Sequence, residues 1–218
     1  MSMTVGYLTD QAGVKFADDG NNEVTEADWI KYFNLSQAMI VGLLPAAFTR
    51  GSLMDLVAGV LQTLPSNTVE LIDIPMNMTD GSTPGAPIRE TTLEIMNECC
   101  PDWTTDTASA VVEHFMRVPD NDLQFRVYPK NDGTGKVEIQ TAMTPPLVIE
   151  DDDDAWRDQP IALGDKYASA ILNAMMFNAC DEDTDAPGNT VKSDQYYNRM
   201  MQALGLKTAR QTKKEATR

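Results

Sequence analysis

The sequence predicts an α+β fold: a small helical bundle, made of a long N-terminal helix and a C-terminal helical hairpin, with an antiparallel β-rich segment inserted and an extended C-terminal arm. Three observations carry this. Apolar residues recur at helical spacing over 25–44 and again over 164–204. Between Ala110 and Thr144 the spacing changes to strict alternation, the period of a strand. After Gly205 the apolar pattern ends and the charge changes sign. The corresponding segments are 1–50, 51–148, 149–204 and 205–218.

The long helix is the clearest element. Thr25 can cap its start, and Asp28 stands three residues on, where a carboxylate reaches back to the cap and faces the positive end of the helix dipole. Trp29, Phe33, Ser36, Ile40 and Leu43 form one stripe, which Ile30, Tyr32, Ala38 and Val41 widen. A stripe this wide needs partners on more than one side, and Pro45 ends the helix. Before it, residues 3–13 can form a short helix with Val5, Leu8 and Ala12 on one face, although Gly6 is unfavourable inside a helix. Residues 17–24 are a polar loop.

The segment from Leu53 to Pro65 is ambiguous. Leu53, Leu56, Val57 and Val60 fit a helix, and the pairs flanking Ala58-Gly59 fit a tight hairpin. Val69, Leu71, Ile72 and Ile74 read as a strand, 77–87 as a loop, and 90–99 as a helix ending at Pro101. Three runs follow: Val111–Val118, Leu123–Pro129 and Val137–Met143. Pro119-Asp120-Asn121 and Asn131-Asp132-Gly133 are turn signals between them, so the region reads as an antiparallel three-stranded meander. Beyond the acidic run Glu150–Asp154, Tyr167, Ala170, Ile171, Ala174, Phe177 and Asn178 share a helix face, and Tyr196, Tyr197, Met200, Met201 and Leu204 mark the last helix. Gly205 is its C-cap. The expected bundle core is Trp29, Phe33, Ile40, Tyr167, Ile171, Met200 and Leu204.

Charge narrows the function. The chain of 218 residues carries 33 acidic and 17 basic side chains, a net of −16. Lys207, Arg210, Lys213, Lys214 and Arg218 against Glu215 give the end a net of +4, which leaves −20 on the body. Such a body does not grip phosphates, whereas the basic end suits an arm that orders on a partner. No run of apolar residues reaches the length of a membrane span, and the first residues lack a signal-peptide pattern. Three cysteines, Cys99, Cys100 and Cys180, have no metal-type spacing and fit free thiols in a reducing compartment. Cys99 and Cys100 are expected to pack at a helix end.

Candidate chemistry is sparse. Asp19, Asn21, Glu23, Thr25 and Asp28 imitate a calcium loop, but its first ligand, its glycine and its bidentate glutamate are missing, so a helix-leading loop is the simpler reading. Glu150–Asp154 reads as a solvated loop, because consecutive carboxylates splay apart. His114, the only histidine, has no serine or cysteine motif around it, and Gly133-Thr134-Gly135 lacks the helix that a phosphate loop needs. Trp103 reads as a loop anchor, and Met175, Met176, Met200 and Met201 suit a core or a subunit interface. No catalytic residue, cofactor or metal is expected.

The order of motifs resembles the head-to-tail adaptor (connector) proteins of short-tailed, podovirus-like bacteriophages. The matching pieces are Val14-Lys15-Phe16 and Thr25–Asp28 leading to Trp29, Asn34 and Gln37; the LVAG and QTLP runs within Leu53–Pro65; Pro87–Glu90 with Cys100–Trp103; Phe125–Pro129 with Pro145-Pro146; and Ala203–Leu206. The second piece is similar to a hairpin strand of that family and tips the ambiguous segment from helix to strand. The resemblance implies a structural virion protein of the head–tail interface, assembled in the host cytoplasm. It implies a ring of about twelve copies below the portal protein, closed by heterologous contacts. Such a ring would extend the DNA channel without sequence-specific binding and offer a platform to a tail or nozzle protein. The matching position for a portal-binding arm is Lys207, Arg210, Lys213, Lys214 and Arg218. The alternatives are another tail-machine component (a tail tubular or head-closure protein), a calcium-dependent module using Asp19, Asn21 and Asp28, and, last, a small hydrolase.

Overall fold

The computed structural model describes residues 2–16, 24–182 and 189–207. Among them are five α-helices and eight strands, mixed α+β, in two units: Met1–Leu44 with Pro145–Arg218, and Pro45–Thr144.

The first unit is helical. α1 spans Val5–Phe16 and α2 spans Glu26–Leu43. The expected capping box is present: the Asp28 amide donates to Thr25 Oγ1 at 3.2 Å, and the Thr25 amide donates to Asp28 Oδ2 at 3.2 Å. Trp29, Phe33, Ser36 and Ile40 are buried, Leu43 is half-buried, and Ala38 faces outward. The edges of Phe16 and Tyr32 meet the Trp29 ring at 5.9 and 5.7 Å between centroids. Gly6 has a packing reason. A β-carbon there would lie 2.9 Å from the Arg157 carbonyl oxygen, so only glycine lets α1 approach the turn of 3-10 helix at Ala155–Asp158.

α4, Ala168–Glu182, is the most enclosed helix of this unit. It packs against α1, α2 and α5, the last spanning Asn189–Ala203. It carries no charge from Ala168 to Cys180, and Ile171, Ala174, Met175, Met176 and Cys180 are all buried. A helix apolar around its circumference belongs inside. α5 ends in a Schellman motif: Leu206 N donates to Met201 O, Gly205 N donates to Gln202 O, and Gly205 takes a φ of +70°.

Polar tethers join the two chain segments of this unit. Val5 N donates to Gln159 O at 2.9 Å and Ile161 N to Met3 O at 3.3 Å. Arg157 pairs with both Asp10 and Glu26 while its guanidinium lies 5.1 Å from the Trp156 ring centroid. Lys31 on α2 meets Glu182 on α4 at 2.6 Å, and that lysine, with a second hydrogen bond from Tyr32, holds the Glu182 carboxyl below its usual range. Asn34 works as a strand mimic. Its Nδ2 donates to Val148 O at 2.8 Å and its Oδ1 accepts from Val148 N at 2.9 Å, which fixes Val148 in extended backbone.

The second unit is a sandwich. Strands β1 (Thr49–Asp55), β2 (Gly59–Thr63), β3 (Thr68–Met78), β4 (Pro84–Pro87), β5 (Arg89–Glu90), β6 (His114–Val118), β7 (Asn121–Asn131) and β8 (Lys136–Met143) form two four-stranded sheets. Their orders are β1-β8-β3-β4 and β2-β7-β6-β5. Leu71, Ile74, Val137 and Ile139 from one sheet meet Phe115, Phe125 and Val127 from the other in a common core. The second sheet is buried on both faces: Phe115 and Met116 are adjacent and both 0 % exposed, with Met116 under α3 (Leu93–Cys99) and Trp103. Arg117 ties the sheets together, reaching the Leu71 and Ile72 carbonyls of β3 and Glu90 of β5.

Four expectations need correction here. The three-stranded meander does not form: β6 and β7 pair, but β8 joins the opposite sheet between β1 and β3. The reason is that β7 has β2 on one edge and β6 on the other, so no edge is left for β8. The Asn131-Asp132-Gly133 turn serves this crossing. Asn131 Oδ1 accepts from Gly133 N and Gly135 N, and Nδ2 donates to Ser109 O and Ala110 O. The Leu53–Pro65 segment is strand rather than helix, yet not a hairpin, since β1 and β2 lie in different sheets. The loop expected over 77–87 shrinks, because β3 continues to Met78 and β4 pairs with it around a turn held by Asp80. The β segment is also not purely antiparallel: β5 runs parallel to β6.

Candidate functional site

Of the residues singled out for chemistry, Asp28, Asp151 and Trp103 make structural hydrogen bonds. Asp28 is committed to the cap, its Oδ2 also accepting from Thr25 Oγ1 at 2.6 Å. Asp19, Asn21 and Glu23 lie outside the described residues. No group of three or more His, Cys, Asp or Glu side chains gathers as a metal set among the described residues.

The acidic run is a helix lead-in. Asp151 Oδ1 accepts from Ala155 N at 2.8 Å, Asp154 adopts a left-handed φ of 55°, and the chain then turns into Ala155–Asp158 with Trp156 fully buried. His114 stands opposite Tyr128 in the β6–β7 ladder, and their rings stack at 6.4 Å with 21° between planes. Tyr128 donates its hydroxyl to Asp106 at 3.0 Å, and that carboxylate raises the phenol's pKa. Trp103 is 5 % exposed and donates Nε1 to Asn97 Oδ1 at 2.9 Å, the geometry of an anchor. Cys99 is exposed, which corrects the expectation that both adjacent thiols pack; Cys100 alone packs against the Met96, Trp103 and Met116 cluster. The reason is helical: successive residues at a helix end point about 100° apart.

Of the expected bundle core, Trp29, Phe33, Ile40, Ile171 and Met200 are buried, and Tyr167 and Leu204 are half-buried. The sequence did not place Gln37, Trp156 or Ser193 in the core, and all three are buried as well. Trp29 Nε1, Gln37 Oε1, His114 Nδ1 and Trp156 Nε1 are buried without a hydrogen-bond partner among the described residues. In the expected arm, Lys207 is exposed at the end of the described chain, and Arg210, Lys213, Lys214 and Arg218 lie outside it.

The chain belongs to the SU10 adaptor protein family, whose model matches residues 3–218. It is a structural adaptor protein of a bacteriophage. No curated protein matches the chain. No helix among the described residues is long and apolar enough to cross a membrane.

Proposed function

We propose that this adaptor closes into a ring below the portal, extends the DNA channel and provides the platform on which the tail attaches. The observation that carries this reading is the family match over residues 3–218. The mechanism is geometric. Subunits make heterologous side-by-side contacts, the kind that generates a cyclic ring when the rotation closes. The acidic body, at −20, repels the genome's phosphates and lets DNA pass without being held. Lys207, Arg210, Lys213, Lys214 and Arg218 form an arm that orders on acidic surfaces of the portal, so attachment waits for the head. The role requires no catalysis, cofactor or metal.

Electron microscopy of the purified protein, alone and mixed with its portal protein, tests the reading. A ring seated on one end of the portal is expected. A stable monomer in both samples refutes it and moves the protein to a more distal tail position. Deleting Lys207–Arg218 is expected to leave the circular-dichroism spectrum intact and abolish capture by portal; normal capture would remove the arm from the proposal.

A further inference from the structure

Two unpartnered features of this chain complement each other. The first is the free edge of β2, at the end of its sheet. Leu64 N donates to Leu123 O at 2.9 Å, so Leu64 and Gln62 turn their backbone groups toward β7. The amides and carbonyls of Leu61 and Thr63 point the other way, with no partner among the described residues. Beside this edge runs a groove of about 560 Å³, bounded by Val60, Leu61, Leu93, Pro101, Trp103 and Arg126. Leu61 and Arg126 are cross-strand partners and share the groove face. Arg126 makes no ion pair among the described residues.

The second is the segment Leu147–Glu150. Asn34 takes the backbone groups of Val148, which leaves those of Leu147 and Ile149 directed to the opposite edge. Leu147 and Ile149 are 70 % and 72 % exposed, the most exposed large apolar side chains among the described residues. The acidic run Glu150–Asp154 follows directly.

We infer that Leu147–Glu150 of one copy adds as a short antiparallel strand to the β2 edge of a second copy, with Leu147 and Ile149 in its groove and the acidic run beside its Arg126. Ile149 then stands opposite Leu61 and Leu147 opposite Thr63, which satisfies two unpaired residues on each side. All four side chains fall on the groove face, because directly paired residues share a face. Apolar meets apolar and carboxylate meets guanidinium. The two surfaces differ, so the contact is heterologous and propagates from copy to copy. The inference rests on the ring reading and names the contact that closes the ring.

The test is a disulfide trap in a Cys99→Ser, Cys100→Ser background. Protein carrying Thr63→Cys is mixed with protein carrying Leu147→Cys, with portal present, and oxidised. Directly paired strand residues have Cα atoms about 5.5 Å apart, within disulfide reach. A covalent dimer from the mixture, absent from either variant alone, is expected. Rings by microscopy without that dimer overturn the contact and leave the ring reading standing; a dimer without rings supports the contact and refutes ring closure; neither refutes both. A chain carrying both cysteines that cross-links only to itself also overturns the inference. Independently, Arg126→Glu is expected to weaken self-association in ultracentrifugation by about tenfold, and unchanged association counts against the placement of the acidic run.

Discussion

The helical unit and the β unit are built from the chain in opposite ways. The β unit is one unbroken stretch, Pro45–Thr144, with a core shared by its two sheets. The helical unit is assembled from both sides of that stretch, so α1 and α2 find α4 and α5 only across a long gap in sequence. The difference appears in the bonds. In the helical unit the two chain segments are joined, beside their apolar core, by long-range tethers: Arg157 to Asp10 and Glu26, Asn34 to Val148, and Val5 to Gln159. The β unit is knit by ladders along its whole length, with Arg117 and Asn77 as cross-ties. Discontinuity leaves two segments to be joined by specific side-chain bonds, while continuity lets strands join through backbone ladders.

Substitutions in each unit test that contrast. The largest effect is expected from Trp156→Ala, which empties the centre of the C-terminal segment's contribution to the helical unit. It should cost about 3–5 kcal/mol and lower one calorimetric transition, assigned by helical circular dichroism, while the other stays. A single transition that moves as a whole would show that the units unfold as one. Gly6→Ala should cost about 1–3 kcal/mol in chemical denaturation, against the usual gain from alanine in a helix, because the added carbon meets the Arg157 backbone. Asn34→Ala removes both bonds to Val148 and should cost about 1–3 kcal/mol, read as faster hydrogen exchange at the Val148 amide. The smallest effect belongs to the β unit. The backbone amides of Ser82 and Thr83 hold the Asp80 carboxyl well below its ordinary value of 3.8. A depressed pKa stabilises the fold above the ordinary value, and the contribution is lost as pH falls below it toward the folded value. Asp80→Asn should therefore flatten the β unit's stability profile between neutral and acid pH by slightly lowering stability at neutral pH, where the carboxylate contributes, and leaving stability at strongly acid pH nearly unchanged, as read by denaturation at a series of pH values.

The same contrast explains what could be read from the sequence. Helices announce themselves locally: Thr25 and Asp28 at a cap, Trp29, Phe33 and Ile40 on one face, and Gly205 at an end all stand where the structure has them. Alternation in Phe125–Val127 and Val137–Ile139 correctly told which residues face a core. It could not tell which strand pairs with which, because inward-facing residues look alike whether the partner is adjacent or in the opposite sheet. The Asn131-Asp132-Gly133 signal was true as a turn and silent about its destination. The enclosure of α4 was legible in its uncharged run, though α2 seemed the more prominent element. Of the expected interaction residues, four of the five arm cations lie outside the described residues, and the β2 groove could not be foreseen, since Leu61, Trp103 and Arg126 meet only through tertiary folding.

The split construction of the helical unit has a consequence for synthesis. On the ribosome, α1 and α2 emerge first, and the 100 residues from Pro45 to Thr144 are made before α4 begins. At typical translation speeds of about 5–20 residues per second, the stripe of Trp29, Phe33 and Ile40 waits on the order of ten seconds without its partner. The β unit can fold during that interval. A nascent chain whose β unit has folded in that time would carry an uncovered apolar helix, a state that a chaperone shielding α2 would protect from aggregation.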